Sequence, residues 1–156
     1  MFTLEDAVAL AANAHRDQTD KAGAPYLLHV LRVMMKMPTY EGKMIAVLHD
    51  IIEDTEVTID ELRKRGCSEW VIRAVSVLTH TPNQPYQDYI AQIVAFCVAT
   101  DDGLVVAIKL ADLDDNLNMA RLLIHDKSGD LERMVTKYLQ AKKTLLNSLI
   151  VLEPST

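Results

Sequence analysis

Val47-Leu48-His49-Asp50-Ile51-Ile52-Glu53-Asp54 sets four ionisable side chains among residues that belong in a protein core. Ile45, Ala46, Leu48, Ile51 and Ile52 recur at the three- and four-residue spacing of one helix face, which predicts a single helix over residues 43–54. On such a helix His49 neighbours Glu53, while Asp50 neighbours both Glu53 and Asp54, so the four can line one cavity. Carboxylates gathered away from water repel one another and take up protons unless a cation neutralises them. The stretch therefore predicts a helical protein with a divalent metal held on a core helix.

Outward from this helix the pattern stays helical, and the expected fold class is all-α. Thr3 with Asp6 forms an acidic variant of a capping box ahead of the stripe Leu4, Val8, Ala11 and Ala12, giving a helix that ends near His15. Pro25 suits a first helical turn, where its missing N–H has no partner to lose, so a helix is expected over residues 25–37 with His29 one turn inside. Thr58 with Glu61, a second capping box, and then Ser68 open two packing helices, residues 58–65 and 68–78. Pro82 and Pro85 mark residues 79–86 as a loop at the mouth of a site. Helices are expected over residues 87–99, 104–123 and 128–151, the last capped by Ser128. With no repeat and no linker composition, residues 1–156 read as a single domain.

The bulk properties exclude several classes of protein. A chain of 156 residues with 49% hydrophobic and 24% charged residues can bury a core and is neither disordered nor fibrous. A net charge of −6 without a basic cluster opposes a nucleic-acid backbone, so no nucleic-acid partner is expected. Cys67 and Cys97, far apart, read as reduced thiols, and the acidic N-terminus without a long apolar run predicts a cytoplasmic protein with no membrane partner. The same negative field opposes a small anion, so a phosphate-bearing ligand needs a metal and local Lys or Arg residues. Association into homo-oligomers is left open.

Lys109-Leu110-Ala111-Asp112-Leu113-Asp114-Asp115-Asn116 repeats the pattern of acids on an apolar helix, with Asp112 facing Asn116 one turn on. One of Asp114 and Asp115 is expected to face solvent. A lone histidine on an apolar face is more often a hydrogen-bonded core residue than a ligand. Taken together, however, His29, His49, Asp50 and Asp112 make a set of two imidazoles and two carboxylates. Such a set suits manganese or iron, with zinc less favoured.

These motifs, in this order, resemble the hydrolase domain of Rel/Spo-type enzymes and the stand-alone small alarmone hydrolases, HD-domain proteins. The matching pieces are Ala14-His15-Arg16, Gly23-Ala24-Pro25-Tyr26 with His29, Leu48-His49-Asp50 with Glu53-Asp54-Thr55, and Lys109-Leu110-Ala111-Asp112 with Asn116. The resemblance implies an HD-type helical bundle and manganese on His29, His49, Asp50 and Asp112. It implies Glu53 and Asp54 beside the attacking water, Asn116 near a ribose, and hydrolysis of the 3′-pyrophosphate of a purine nucleotide. Glu53, one turn from His49, is the better base, with Asp54 sharing or supporting that role. Lys21 matches a family lysine, Tyr138 resembles a substrate-contacting tyrosine, and Arg16 and Lys109 stand close to the motifs as phosphate-binding candidates. Three positions differ from the family: Val30 follows His29, Met134 replaces an arginine, and Asp20 replaces an arginine that stacks on guanine. A carboxylate offers a purine no stacking face but can accept hydrogen bonds from its edge, so Asp20 predicts relaxed discrimination between guanosine and adenosine substrates.

Two other functions fit the residues less well. One is an HD phosphohydrolase acting on another phosphorylated nucleotide, such as a nucleoside monophosphate or NADPH. The other is a non-catalytic nucleotide-sensing module with a structural metal, which would have no use for the extra Glu53-Asp54 pair.

Overall fold

The computed structural model describes residues 2–20, 22–118 and 131–152. Lys21 and the expected Ser128 cap lie outside the described residues. Among those described, the regular elements are the helices α1 (Leu4–Ala14), α2 (Tyr26–Met35), α3 (Tyr40–Leu48), α4 (Ile51–Asp54), α5 (Ile59–Lys64), α6 (Glu69–Leu78), α7 (Tyr86–Thr100), α8 (Leu104–Asn116) and α9 (Leu131–Leu152). The sole pairing of β type described is an isolated bridge between Thr19 and Pro25. The fold is all-α, and no described helix is long and apolar enough to cross a membrane.

Local chemistry sets most boundaries. The Thr3 hydroxyl accepts from the Asp6 N–H and the Asp6 carboxylate accepts from the Thr3 N–H, a complete capping box on α1. Thr3→Ala is expected to cost about 1 kcal/mol and lower Tm by roughly 2–4 °C in a thermal melt. Ser68 caps α6 through the Val71 N–H. Thr58 accepts from the Glu61 N–H, but Glu61 turns to Arg65 instead of back to the cap, so the second box is only half made.

Two boundaries depart from the expected ones. The helix expected over residues 43–54 is two helices, α3 starting earlier at a Thr39 cap and α4 following a break at His49 and Asp50. His49 Nδ1 lies 2.7 Å from Ala46 O, the carbonyl that the Asp50 N–H would take in an unbroken helix. Asp50 then sits at φ −101°, ψ 0°, outside helical geometry. The helix expected over residues 104–123 ends at Asn116, whose side-chain amide folds back onto Asp112 O at 3.1 Å.

The core is assembled around α3 and α8. Helix α3 packs against α1, α2, α6 and α8, and α8 packs against α2, α3, α6, α7 and α9. Val30, Val33, Ile45, Val47, Leu48, Ile51, Val106, Ile108 and Leu113 are buried at these contacts. Burial of such apolar faces, rather than helix propensity, holds short helices like these in place. Because α2 lies on both central helices, His29, the His49-Asp50 break and Asp112 are brought to one point.

Candidate active site

His29, His49, Asp50 and Asp112 converge where α2, the α3–α4 break and α8 meet, and all four are buried. His29 Nε2 lies 3.2 Å from Asp112 Oδ1 and 3.5 Å from Asp50 Oδ2. His49 Nε2 lies 3.0 Å from Asp50 Oδ2 and 3.7 Å from Asp112 Oδ1. The opposite ring nitrogens are anchored: His29 Nδ1 to Asp115 Oδ2 at 2.7 Å, and His49 Nδ1 to Ala46 O. An acceptor at each Nδ1 places an N–H there and turns Nε2 toward the carboxylates, the orientation a metal-ligating histidine takes.

The donor chemistry fits a divalent cation. His29, His49 and Asp112 each present one ligand atom, all within 4.8 Å of one another. His49 Nε2 is buried and makes no hydrogen bond among the described residues despite its short approach to Asp50. Without a cation, protons neutralise the site. Burial disfavours the His29 imidazolium, but the hydrogen bonds it donates to Asp112, Asp115 and Asp50 outweigh this and push the ring up to about 11. His49 is likewise pushed up to about 9, against burial, chiefly by the Asp50 charge. Both aspartates are held low despite burial, Asp50 first by His49 and Asp112 first by Lys109. A cation would take the place of these protons.

Around this centre lies a cavity of about 430 Å³. Glu53 and Asp54 line it from α4. Glu53 Oε2 accepts from the His80 N–H at 2.7 Å, tying α4 to the loop that precedes α7. The Tyr26 hydroxyl lies 2.6 Å from Asp50 Oδ2 and 2.8 Å from Asp54 Oδ2, one proton between two carboxylates. Both Glu53 and Asp54 keep open surface, yet the cleft walls withhold enough solvent to raise each carboxyl above its usual range, and Asp50 adds to the effect.

The expected substrate-contacting residues divide. Lys109 lines the cavity, 2.8 Å from Asp112 Oδ2 and with its ammonium over the Tyr89 ring. Asn116 lines it too and donates to Asp112 Oδ1 at 2.5 Å. Tyr138 reaches it from α9, its ring tilted against Tyr86. Asp20 lines it as well, but both its oxygens are engaged: Oδ1 accepts from the Ala22 and Ala24 N–H groups and Oδ2 from Arg32. Its carboxylate organises the loop between α1 and α2. Arg16 is not brought to the cavity; it is exposed and donates to Asn13 within its own turn. Nothing in residues 14–16 pulls that long side chain across the first loop. Lys21 lies outside the described residues.

Several residues of the site carry no sequence assignment of their own. Of the neighbouring acids, Asp114 is the open one, paired with Lys142, while Asp115 is buried and takes both His29 and Arg32, whose Nε donates at 2.6 Å. Its signal was three-residue spacing from Asp112 on one helix face. Tyr26 likewise stands three residues before His29, on the same face of α2. His80 and Tyr86 come from the loop and the start of α7, where only folding brings them near Glu53.

No family model matches the chain. Among curated proteins it is 31% identical, over 123 residues, to a guanosine-3′,5′-bis(diphosphate) 3′-pyrophosphohydrolase of Aquifex aeolicus, covering 73% of this chain and 17% of that one. It is 31% identical over 140 residues to the bifunctional (p)ppGpp synthase/hydrolase SpoT of Escherichia coli, covering 83% and 20%. A 3′-pyrophosphohydrolase of Haemophilus influenzae is 34% identical over 128 residues, 76% of this chain and 19% of that one. The chain thus spans about a fifth of the length of the curated relatives it matches. Among solved structures, one described as a metazoan ortholog of SpoT that hydrolyzes ppGpp and plays a role in starvation responses superimposes with a TM-score of 0.73 at 24% identity, covering 98% of this chain and 86% of that one. That likeness is one of fold.

Proposed function

The chain belongs to the HD-domain hydrolases of the Rel/Spo type, and from that premise we propose that it hydrolyses the 3′-pyrophosphate of purine nucleotide alarmones. The observation that carries this reading is the convergence of two anchored imidazoles and two carboxylates beneath a cavity lined by a further carboxylate pair. We place the activity in the cytoplasm and in one domain over residues 1–156.

His29, His49, Asp50 and Asp112 would hold a divalent cation, and this oxygen- and nitrogen-rich set favours manganese. When bound, such an ion supplies Lewis-acid polarisation of a phosphoryl oxygen and lowers the pKa of water. The remaining work falls to the chain. Glu53, fixed by the His80 N–H, takes a proton from the attacking water. Asp54, tied to Asp50 through the Tyr26 hydroxyl, holds that water in line. Lys109 offers positive charge to the phosphoryl oxygens as well as to Asp112. The water oxygen bonds to the phosphorus attached at the ribose 3′ position, and the bond from that phosphorus to the 3′ oxygen breaks. The 3′ oxygen regains a proton, and pyrophosphate leaves with the 5′-phosphorylated nucleoside.

Pyrophosphate release is measured from the guanosine and adenosine 3′-pyrophosphorylated nucleotides with manganese, before and after chelation. Turnover that chelation abolishes and manganese restores is expected, with kcat/KM for the two bases within about tenfold, since no arginine stacks at position 20. Tightly held metal without turnover would favour the sensing module, and turnover confined to other phosphorylated nucleotides would favour the alternative phosphohydrolase.

A further inference from the structure

Outside the His/Asp centre, a buried polar group lacks a partner at the place where two cavities meet. Tyr86 opens α7, and its hydroxyl is buried with no hydrogen-bond partner among the described residues. An unpaired buried hydroxyl is costly, and one that lines a cavity points to a ligand atom as its partner. The same residue lines a second cavity of about 1000 Å³ between α7 and α9.

Lys137, on α9, lines both cavities with it. Its ammonium lies 4.5 Å from the centre of the Tyr86 ring and 5.0 Å from that of Tyr138, so two aromatic faces hold it at the junction. Among the described residues it pairs with no carboxylate. Among the described residues, the other cations near the centre each have a carboxylate partner: Lys109 has Asp112, and Arg32 has Asp20 and Asp115. Among the described residues, the cation that lines the cavity without a carboxylate partner is therefore the one beside Tyr86. Burial first of all pushes the Tyr86 phenol up to about 12, so it stays a donor at any working pH.

We propose that Tyr86 and Lys137 form a second phosphate subsite, which holds the 5′-phosphate of the nucleotide by a hydrogen bond from the Tyr86 hydroxyl and an ion pair with the Lys137 ammonium. The proposal rests on the hydrolase reading, which puts the 3′-pyrophosphate at the His/Asp centre and leaves the 5′ end to be neutralised elsewhere. In a protein of net charge −6, that end needs a local cation to be tolerated.

The test compares guanosine 5′-diphosphate 3′-diphosphate with guanosine 3′-diphosphate bearing a free 5′-hydroxyl, in the parent, Tyr86→Phe and Lys137→Gln. The parent is expected to prefer the 5′-phosphorylated substrate. Each variant raises its KM on that substrate on the order of tenfold, with kcat within about twofold, and leaves KM for the 5′-hydroxyl substrate unchanged. Competitive inhibition by guanosine 5′-diphosphate weakens in parallel, a readout that needs no turnover of the inhibitor. Neither change removes a hydrogen bond or ion pair that the described fold uses, so Tm is expected to hold. Equal losses on both substrates, or no loss on either, would overturn the subsite while leaving the hydrolase standing. A parent that releases pyrophosphate from neither substrate would overturn the hydrolase reading itself, and the subsite with it.

Discussion

Asp50→Asn is expected to lower turnover by more than about 10³-fold, over about 4 kcal/mol of barrier, and to weaken divalent-cation binding in step. The amide keeps the shape and can still accept from Tyr26, but it removes a full negative charge 3.0 Å from His49 Nε2 and 3.5 Å from His29 Nε2. Asp50 stands at the start of α4 without making a side-chain cap, so the change does not unpick that helix. Two measurements separate loss of metal from loss of fold. After equilibration with manganese and desalting, the parent retains metal and the variant does not. In thermal melts, manganese at a hundredfold excess over its Kd stabilises the parent by about 2.7 kcal/mol, a gain absent from the variant. A fully active Asp50→Asn enzyme would refute the ligand assignment.

Glu53→Gln is the second large effect, and it is expected to divide the chemistry the other way. The amide oxygen of the substituted side chain can keep the bond from the His80 N–H, so the loop and α4 stay in register. What disappears is a group able to take a proton, and kcat is expected to fall by on the order of 10²–10⁴ with metal content and KM near those of the parent. Burial and the Asp50 charge already hold the Glu53 carboxyl above its usual range. Because the base must be ionised, the parent's rate falls as pH drops through that raised value, and the variant loses this acid limb. Loss of metal from the variant would instead put Glu53 among the ligands.

These two effects rest on residues that stood out in the sequence, for a physical reason. Charged groups are costly in a core, so His49, Asp50 and Asp112 on otherwise apolar helices announce a compensating partner. The capping box at Thr3 was equally legible, because a cap is an interaction among residues three apart. The neighbourly spacing of His49, Asp50, Glu53 and Asp54 was read from one continuous helix, yet α3 and α4 are separate. The imidazole that takes the Ala46 carbonyl breaks the very helix on which the spacing was counted.

The amino-acid sequence by itself determined the all-α pattern, most helix starts, and the ionisable residues that a core would not otherwise accept. These follow from periodicity and contacts within about four residues, which any local segment carries with it. Tertiary structure alone decided which polar groups share the cavity: Asp115 rather than Asp114 behind His29, Tyr26 between two carboxylates, Arg16 left outside, and Tyr86 with Lys137 at the far wall. Those choices depend on how α2, α7, α8 and α9 cross one another. Crossing is set by the packing of whole helix faces, a sum over distant residues that no short stretch of sequence contains.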